Sequence, residues 1–388
     1  MNTLFLIGPG GVGKSTVGAL LAQAMSKNPL ARPASAIEFA RSLQAIEQDE
    51  RFSRTAIVVL ADGLGARLLR RQSAHAPFLR EHLERMQTLA AGFPTTTATS
   101  MGTFGTGLPP GAHGLVGYLV VDPATGRVFN ELTWKDGPNP QAWQPNPTVF
   151  ERADAAGLRP AMIGPGYFDG SGLTNAALRG ATFYPAEGLD DRVDAALAAT
   201  RRGHRLVYLY WGEIDKAGHV HGVGSPQWAH ELAVFDDAMA RLDFGRPAGT
   251  SLTLTADHGM VDVPLDARVD IATTPHLRDG VRRVGGEMRA LHLYVEPGAL
   301  ADVESRWRAE IGAHGHVFTR EQLADAGWVG ALDPATAGRF GDVVVSVTSA
   351  RGYVDSRVMS DRVLPLLGQH GAMTPDELDV PFLHLGAR

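Results

Sequence analysis

The chain has 388 residues, which is enough for a large core and roughly two to three domains. Its formal net charge of −6 and the absence of a basic run give no basis for binding a nucleic-acid polymer or an anionic membrane. It contains no cysteine, which excludes disulfides, thiolate metal sites and a cysteine nucleophile and suits a reducing compartment.

The N-terminal residues 1–52 resemble a P-loop unit followed by a connector. The run GPGGVGKST at 8–16 lies between the strand-like TLFLI and a helix-like run from Val17 to Met25, as the phosphate-cradling pattern requires. The residues that fit the pattern are Gly8, Gly13, Lys14 and Ser15. A nucleotide-binding domain of this kind also needs further parallel strands and an acidic residue for magnesium, and only AIVVLAD at 56–62 could supply them. Two interpretations stay open, ATP binding and an accessory βα unit packed on the main domain, and we favour the second.

The N-terminus carries no targeting segment that we recognise. The apolar patch Leu4–Ile7 is too short for a signal peptide and lacks a basic flank and a cleavage site. No apolar run of the sequence is long enough to span a bilayer. We therefore expect a cytoplasmic protein with no membrane partner.

From residue 53 onward the pattern indicates an α/β domain. Ile57–Leu60 is typical of a buried strand that ends at Asp62-Gly63, and a helix pattern follows from Ala66 to Arg71. Because ligands of open α/β sheets bind at the carboxyl ends of strands, Asp62 stands where a metal-binding carboxylate is expected. An Asp that starts a turn before Gly is the alternative.

The stretch FPTTTATSMGTFGTG at 93–107 is rich in hydroxyl side chains. Ser and Thr favour a helix start because they cap the free N–H groups of the first turn, and a helix N-terminus attracts anions such as phosphate. A threonine held there could act as a nucleophile, provided that a base or a metal activates it. On its own, the stretch favours the simpler interpretation of a Thr-rich capped turn. Thr95 lies ahead of the expected helix start, so its substitution by Ala is expected to be mild.

Two further strands are predicted to end in acidic residues and histidines. Leu206–Trp211 is followed by GEIDKAGHVHG, in which Asp215 and His219 are four residues apart and share one helix face. A carboxylate and an imidazole at that spacing suit zinc, whereas His221 would point elsewhere and is the second choice. The strand Ser251–Thr255 is followed by the adjacent pair Asp257 and His258. His370 lies far downstream in GQHGAMTPDEL.

A second part of the fold is predicted within 265–350. Arg289–Val295 and His316–Thr319 are typical of strands, and Ala299–Ile311 is typical of a helix between them. We interpret this unit as a small α+β cap over the site.

Taken together, the motifs resemble the alkaline phosphatase superfamily, and within it the type I phosphodiesterase/nucleotide pyrophosphatase family. The resemblance covers roughly residues 55–388 and rests on motifs in the expected order: AIVVLADGLGARLL, FPTTTATSMGTFGTGLPPGAHGLVGY, SGLT, VYLYWGEIDKAGHVHG, TADHGMVDVP, GGEMRA, GDVVV and GQHGAMTPDEL. It implies an α/β/α sandwich for 53–388, with the cap and the N-terminal P-loop-like βα unit as additions.

The resemblance also implies site residues. Thr97 is the nucleophile, because it lies nine residues before Thr106 in the Thr106-Gly107 pair. One metal is held by Asp215, His219 and His370, and the second by Asp62, Asp257, His258 and Thr97. Ser100 is the candidate substrate-binding residue and stands where many nucleotide pyrophosphatases have asparagine. No Arg matches the phosphate-clamping arginine of the phosphomonoesterases.

The implied function is a dinuclear metal-dependent phosphodiesterase or nucleotide pyrophosphatase that works through a phospho-threonine intermediate. Its cofactors would be two divalent metal ions, zinc or else manganese, and its substrate a small phosphate ester or nucleotide. Two alternatives stay open. One is a phosphomonoesterase, a phosphonate or sulfate ester hydrolase, or a phosphomutase of the same superfamily. The other is a P-loop ATP-binding protein with a vestigial metal site.

Overall fold

The computed structural model describes residues 55–387, and the P-loop-like unit predicted at 1–52 lies outside the described residues. The strands of the described part are β1 (Thr55–Ala61), β2 (Gln87–Ala90), β3 (Leu119–Val121), β4 (Val128–Asn130), β5 (Ala161–Gly164), β6 (Thr182–Pro185), β7 (Leu206–Trp211), β8 (Thr250–Ala256), β9 (Val261–Asp262), β10 (Arg268–Asp270), β11 (Val281–Glu287), β12 (Ala290–Val295), β13 (Gly315–Thr319), β14 (Val343–Val347), β15 (Gly352–Val354), β16 (Gly368–Gln369) and β17 (Asp379–Leu385).

The α-helices of this part are α1 (Ala66–Arg71), α2 (Pro77–Glu81), α3 (Thr97–Thr106), α4 (Pro110–His113), α5 (Pro140–Trp143), α6 (Val149–Ala155), α7 (Leu189–Arg201), α8 (Glu213–His221), α9 (Pro226–Gly245), α10 (Pro275–Arg278), α11 (Leu300–Ile311), α12 (Arg320–Asp325), α13 (Pro334–Ala337) and α14 (Pro375–Leu378). Single 3₁₀ turns and one π-helical turn, Thr174–Leu178, join them. Between residues 55 and 387, no helix has both the length and the apolar composition needed to cross a bilayer.

The main sheet has the strand order β2-β17-β8-β1-β7-β5-β6. β1, β5, β6, β7 and β8 run parallel, whereas β17 is antiparallel to both of its neighbours. The apolar run of β1 follows from this central position, because a strand buried on both faces needs apolar residues on both. Ile57 and Val59 pack into one hydrophobic core, and Val58 and Leu60 pack into the other.

Helices cover both faces of the main sheet. On one face, α7, α8 and α9 pack against β1 and β7 and bury Trp228 and Phe235 of α9. The hydroxyl of Ser225 caps α9 by accepting a hydrogen bond from the N–H of Trp228, and Pro226 takes the first helical position. On the other face, α3 and α6 contribute Met101 and Phe150 to the second core. The predicted α/β/α sandwich is therefore confirmed.

A second sheet, with the order β13-β14-β12-β11-β3-β4, is antiparallel throughout. Alternate residues of β14 divide between two cores: Val344 faces the main sheet, whereas Val343 and Val345 face α11 and its buried Trp307. The strand and helix predicted at 289–311 agree with β12 and α11 to within one residue at each end. Strands β3 and β4, which come from 119–130, also belong to this sheet. The domain bounds stay a prediction.

Candidate active site and metal centre

The carboxyl ends of three adjacent parallel strands bring together acidic residues that are far apart in the sequence. Ala61, the last residue of β1, lies opposite Trp211 of β7 and Ala256 of β8. Asp62 directly follows β1, and Asp257 directly follows β8. Asp215 lies in the first turn of α8, the helix that follows β7. The parallel register therefore places the three carboxylates at one edge of the sheet, as expected for a ligand site.

A glycine turn lets these carboxylates approach each other. Gly63 has a φ of 71°, a left-handed conformation that favours glycine, and its N–H donates to Oδ1 of Asp257 at 3.1 Å. A β-carbon at this position would lie 2.9 Å from both Cβ and Oδ1 of Asp215. Any other residue at position 63 would push α8 away from the site.

The three predicted histidine ligands share one hydrogen-bonding arrangement. In each, Nδ1 bonds a main-chain carbonyl oxygen, so Nδ1 carries the proton of the neutral ring and Nε2 keeps a lone pair. These bonds join His219 to Gly368 (2.7 Å), His258 to Gly259 (3.0 Å) and His370 to Thr95 (2.9 Å). Rings fixed in this way have the tautomer that metal ligation requires.

Asp215, His219 and His370 form one group of candidate ligands, with potential ligand atoms within 4.8 Å of one another. Nε2 of His219 lies 3.3 Å from Oδ2 of Asp215, because the two residues are one turn apart on α8. These are the three residues that the resemblance assigns to the first metal.

Asp62, Asp215 and His258 form a second group under the same distance limit. Oδ2 of Asp257 lies 3.4 Å from Nε2 of His258, and Oδ1 of Asp62 lies 3.5 Å from the same nitrogen. Asp215 therefore lies between the two groups and belongs to both. The structure brings all the predicted metal ligands together, and their division between two ions stays a prediction.

The electrostatics of this cluster fit a cation. Among the described residues, Oδ1 of Asp62, Oδ1 of Asp215 and Oδ2 of Asp257 are buried carboxylate oxygens without a hydrogen-bond partner. Burial, and then repulsion from the two neighbouring carboxylates, raises the pKa of Asp62 well above its usual value, and burial also raises the pKa of Asp257. Burial and the adjacent imidazoles hold the pKa of His370 well below its usual value. Buried carboxylates and neutral imidazoles in contact are a donor set for divalent metal ions.

The predicted nucleophile lies at the start of helix α3. Thr97 is the first helical residue, and its Oγ1 lies 3.3 Å from Nε2 of His258. Thr96 occupies the cap position, but its hydroxyl makes no capping hydrogen bond, in contrast to the capped turn considered from the sequence. The positive end of the helix dipole therefore lies beside the Thr97 hydroxyl without a side-chain cap.

The structure does not bring Ser100 into this arrangement. Its hydroxyl donates to the main-chain oxygen of Asp257 at 2.7 Å, and the residue borders a different, smaller cavity of about 50 Å³. Its single O–H is thus already donated within the protein, and the role of Ser100 in substrate binding stays a prediction. Ser100 instead joins α3 to the end of β8.

Two residues of the site had no role assigned from the sequence. The hydroxyl of Tyr210 donates to Oδ2 of Asp62, and Glu287 ends β11 with its Oε2 3.8 Å from Nδ1 of His370. Burial raises the pKa of Glu287 to about 8. Tyr210 belongs to the strand LVYLYW and Glu287 to the motif GGEMRA, but neither pattern indicates where the side chain points. His221, the second choice as a ligand, is exposed at the end of α8.

The cluster borders a cavity of about 620 Å³. Asp62, Thr97, Asp215, His219 and His370 all line it. The main sheet contributes one wall, and the segment after β15 contributes another. A hydroxyl, a cluster of cation ligands and a helix N-terminus on one cavity are the components of a phosphoryl-transfer site.

Comparison with known families and proteins shows what the chain is similar to. The family model described as type I phosphodiesterase/nucleotide pyrophosphatase matches residues 56–373. A pyrophosphatase/phosphodiesterase of Schizosaccharomyces pombe, named as uncharacterized, is 26% identical over 225 residues, which cover 54% of this chain and 45% of that protein. The chain thus matches about half the length of this curated relative.

Solved structures show the same fold. Human ectonucleotide pyrophosphatase/phosphodiesterase 5 matches with a TM-score of 0.67 at 18% identity, over 86% of this chain and 88% of the other. An inactive threonine-to-alanine variant of the murine protein, in complex with AMP, matches with a TM-score of 0.66 at 18% identity. The match covers 84% of this chain and 87% of the murine chain. Phosphonoacetate hydrolase from Sinorhizobium meliloti, in complex with phosphonoacetate, matches with a TM-score of 0.64 at 20% identity. The match covers 85% of this chain and 89% of the hydrolase chain.

Proposed function

We propose, from the premise that this chain belongs to the type I phosphodiesterase/nucleotide pyrophosphatase family, that it hydrolyses phosphate diesters at the centre around Thr97. The observation that carries the proposal is the convergence of distant segments on one cavity. A hydroxyl at a helix start lies 3.3 Å from a histidine nitrogen, and carboxylates with unpartnered oxygens lie beside it. Acids and histidines that merely follow strands, without a common function, would not be expected to line one cavity.

We assign one divalent cation to Asp215, His219 and His370, and a second to Asp62, Asp257, His258 and Thr97. When bound, such cations lower the pKa of a coordinated hydroxyl and neutralise charge on the phosphoryl oxygens. Nitrogen and oxygen donors suit zinc, and manganese also fits. The protein's own contribution is to fix the three imidazole rings through the main-chain hydrogen bonds described above, so that each presents Nε2 to a cation.

In the first step, Oγ1 of Thr97 loses its proton and bonds to phosphorus while the P–O bond to the leaving group breaks; the leaving oxygen takes up a proton, so that a phospho-threonine and an alcohol result. The positive end of α3 stabilises the negative charge on the phosphoryl group in this step. In the second step, a water molecule loses a proton and its oxygen bonds to phosphorus while the bond from phosphorus to Oγ1 of Thr97 breaks; Oγ1 takes up a proton, which restores the free hydroxyl and releases the phosphate monoester. The inactive threonine-to-alanine variant of the murine protein supports the view that a threonine is needed in this fold.

Among the described residues that line the cavity, there is no arginine that could clamp a dianionic phosphate. This supports a diester, which carries one negative charge, over a monoester, which carries up to two. The cytoplasmic location stays a prediction.

The test is a panel assay with bis-p-nitrophenyl phosphate, p-nitrophenyl phosphate, ATP and a nucleotide sugar, each with zinc or manganese. We expect hydrolysis of bis-p-nitrophenyl phosphate with a higher kcat/KM than that of p-nitrophenyl phosphate. A higher kcat/KM for the monoester, or no hydrolysis of any compound with either metal, would contradict the proposal.

A further inference from the structure

The cavity has two chemically different sets of lining residues. Thr97 and members of the cluster of carboxylates and histidines form one set. Apolar side chains form the other and make up most of the lining: Met162, Leu173, Leu178, Phe183, Met359 and Leu364. The polar residues Thr133, Ser171, Thr174 and Gln369 also line the cavity but carry no charge. A substituent on a phosphorus atom bound at Thr97 and held in this cavity therefore meets mainly apolar side chains.

The apolar part of the lining contains no positive charge. In the part of the chain that the structure describes, no lysine or arginine lines the cavity. Two arginines of neighbouring elements are neutralised by bidentate pairs: Arg192 donates to both oxygens of Glu213 at 2.9 Å, and Arg289 donates to those of Glu377 at 2.8 and 2.9 Å. The additional titratable side chain on the wall is the carboxyl group of Glu287, which adds no positive charge.

The apolar lining continues to the surface. Tyr167 is 73% exposed and its ring contacts that of Phe168, with centroids 4.5 Å apart. Phe168 in turn meets the ring of Tyr210 edge-on at 5.2 Å, and Tyr210 bonds Asp62. Leu132, another lining residue, is 37% exposed. Exposed apolar groups that lead into a cavity favour an apolar ligand.

We propose that the substrate has a single phosphoryl group whose organic substituent is uncharged and apolar, an alkyl or aryl group that lies in this part of the cavity. This inference rests on the proposed function and narrows it. A second phosphate or a carboxylate would be desolvated here without a cation to pair with, which is costly, whereas each buried methylene contributes favourably. Pyrophosphates, nucleoside polyphosphates and carboxylate-bearing phosphonates are therefore poor substrates.

The experiment compares p-nitrophenyl diesters that differ in the second substituent alone. We expect kcat/KM to rise from the methyl to the butyl to the hexyl ester, by on the order of two- to fourfold per methylene, as buried apolar surface increases. The 5-carboxypentyl ester has nearly the length of the hexyl ester but ends in a charge, and we expect its kcat/KM to be at least about tenfold lower.

The second part of the experiment introduces a positive charge into the wall of the cavity. In Leu132→Arg, at a partly exposed position that tolerates a long side chain, the ratio of kcat/KM for the 5-carboxypentyl ester over the hexyl ester should rise about tenfold. The matched control is Leu265→Arg, at a residue 64% exposed that does not line the cavity, for which the ratio should stay at the wild-type value.

The outcomes separate the two proposals. If the diesters are hydrolysed but kcat/KM does not change with chain length, or if the carboxylate ester is as good as the hexyl ester, the substrate class is wrong and the proposed function stands. If none of the diesters is hydrolysed with zinc or manganese, both are wrong.

Discussion

Thr95 and Gly371 are joined by two hydrogen bonds, although they are 276 residues apart. The N–H of Thr95 donates to the oxygen of Gly371 at 3.1 Å, and the N–H of Gly371 donates to Oγ1 of Thr95 at 3.0 Å. The same hydroxyl donates to the oxygen of Ala372 at 2.9 Å. The segment that carries His370 is thereby fastened to the residues just before the predicted nucleophile.

The first prediction concerns this link. Thr95→Val keeps the side-chain shape but removes the hydroxyl, so the buried N–H of Gly371 loses its acceptor at a cost of about 1–3 kcal/mol. We expect kcat to fall by roughly tenfold or more and the bound metal per chain to decrease, because His370 moves. The contacts thus argue against the mild effect expected from the sequence for Thr95→Ala. Thr88→Val, at an exposed residue of β2, is the control, and equal effects of the two variants would contradict this view.

The second prediction concerns the nucleophile. Thr97→Ala should lower kcat by on the order of a thousandfold or more, because no other group can form the covalent intermediate. Thr97→Ser retains a hydroxyl and should keep measurable activity. Metal content should largely survive in both variants, since Asp62, Asp257 and His258 remain.

Mass spectrometry of the acid-quenched enzyme during turnover provides an independent measurement. We expect the phosphoryl group on the peptide that contains Thr97. A phosphoryl group on Thr95, Thr96 or Thr99, or near wild-type diester hydrolysis by Thr97→Ala, would show that the assignment is wrong.

The third prediction concerns the metal. Elemental analysis of the active protein should give about two divalent ions per chain, and chelation should abolish activity until zinc or manganese is returned. His219→Ala should lower the metal content, because it removes a ligand. His221→Ala, two residues along the same helix and exposed, should leave it unchanged. Full activity in extensively dialysed protein without transition metal would contradict the assignment.

The fourth prediction concerns the pH dependence of stability. Glu131 is fully buried; its Oε2 accepts from the N–H of Val116 at 2.7 Å and its Oε1 from Nε1 of Trp143 at 2.8 Å. Burial raises its pKa from 4.5 to about 7. The folded chain therefore keeps the proton of Glu131 to higher pH than the unfolded chain. The contribution of Glu131 to the free energy of unfolding is complete below about pH 4.5 and is lost as the pH rises to about 7.

Over this pH range the free energy of unfolding should fall by about 3 kcal/mol, since each unit of difference between the folded and unfolded pKa corresponds to about 1.4 kcal/mol. Denaturant unfolding of Glu131→Gln at several pH values should give a flatter profile than wild type in this window, whatever its absolute stability. Glu84→Gln, at an exposed position, should keep the wild-type profile. An unchanged profile for Glu131→Gln would refute the prediction.

The fifth prediction concerns the P-loop-like run. If that run is an accessory unit, Lys14→Ala should leave diester hydrolysis near the wild-type rate. Tight ATP binding to the wild type, measured by calorimetry and abolished in Lys14→Ala, would instead favour a nucleotide-binding function for the N-terminal segment.

The convergence of the candidate ligands could largely be predicted from the sequence, because most of them follow buried strands. The apolar runs before Asp62 and Asp257 predict where those strands end, and parallel strands present their ends at one edge. The helical spacing of Asp215 and His219 likewise predicts that they share a face. The α/β class is confirmed by the main sheet, and the family by the family model that matches residues 56–373.

The remaining features depend on tertiary packing that no local pattern encodes. The sequence does not reveal that the hydroxyl of Ser100 bonds the oxygen of Asp257, since a serine in a Thr-rich helix start has many possible partners. Glu287 reaches the site because β11 belongs to the second sheet, and the pairing of β11 with β3 joins segments far apart in the chain. The largely apolar lining of the cavity could not be predicted either, because its walls come from elements that are separate in the sequence.

The place of β17 in the main sheet bears on how the protein is made. This strand lies between β2 and β8 but is translated about 290 residues after β2. On the ribosome, β8 therefore presents an open edge and β2 lacks its neighbour until Asp379–Leu385 has emerged. Pairings between such distant segments form slowly, and open edges invite association with other chains. Nascent chains released before β17 should thus be the species most dependent on chaperones.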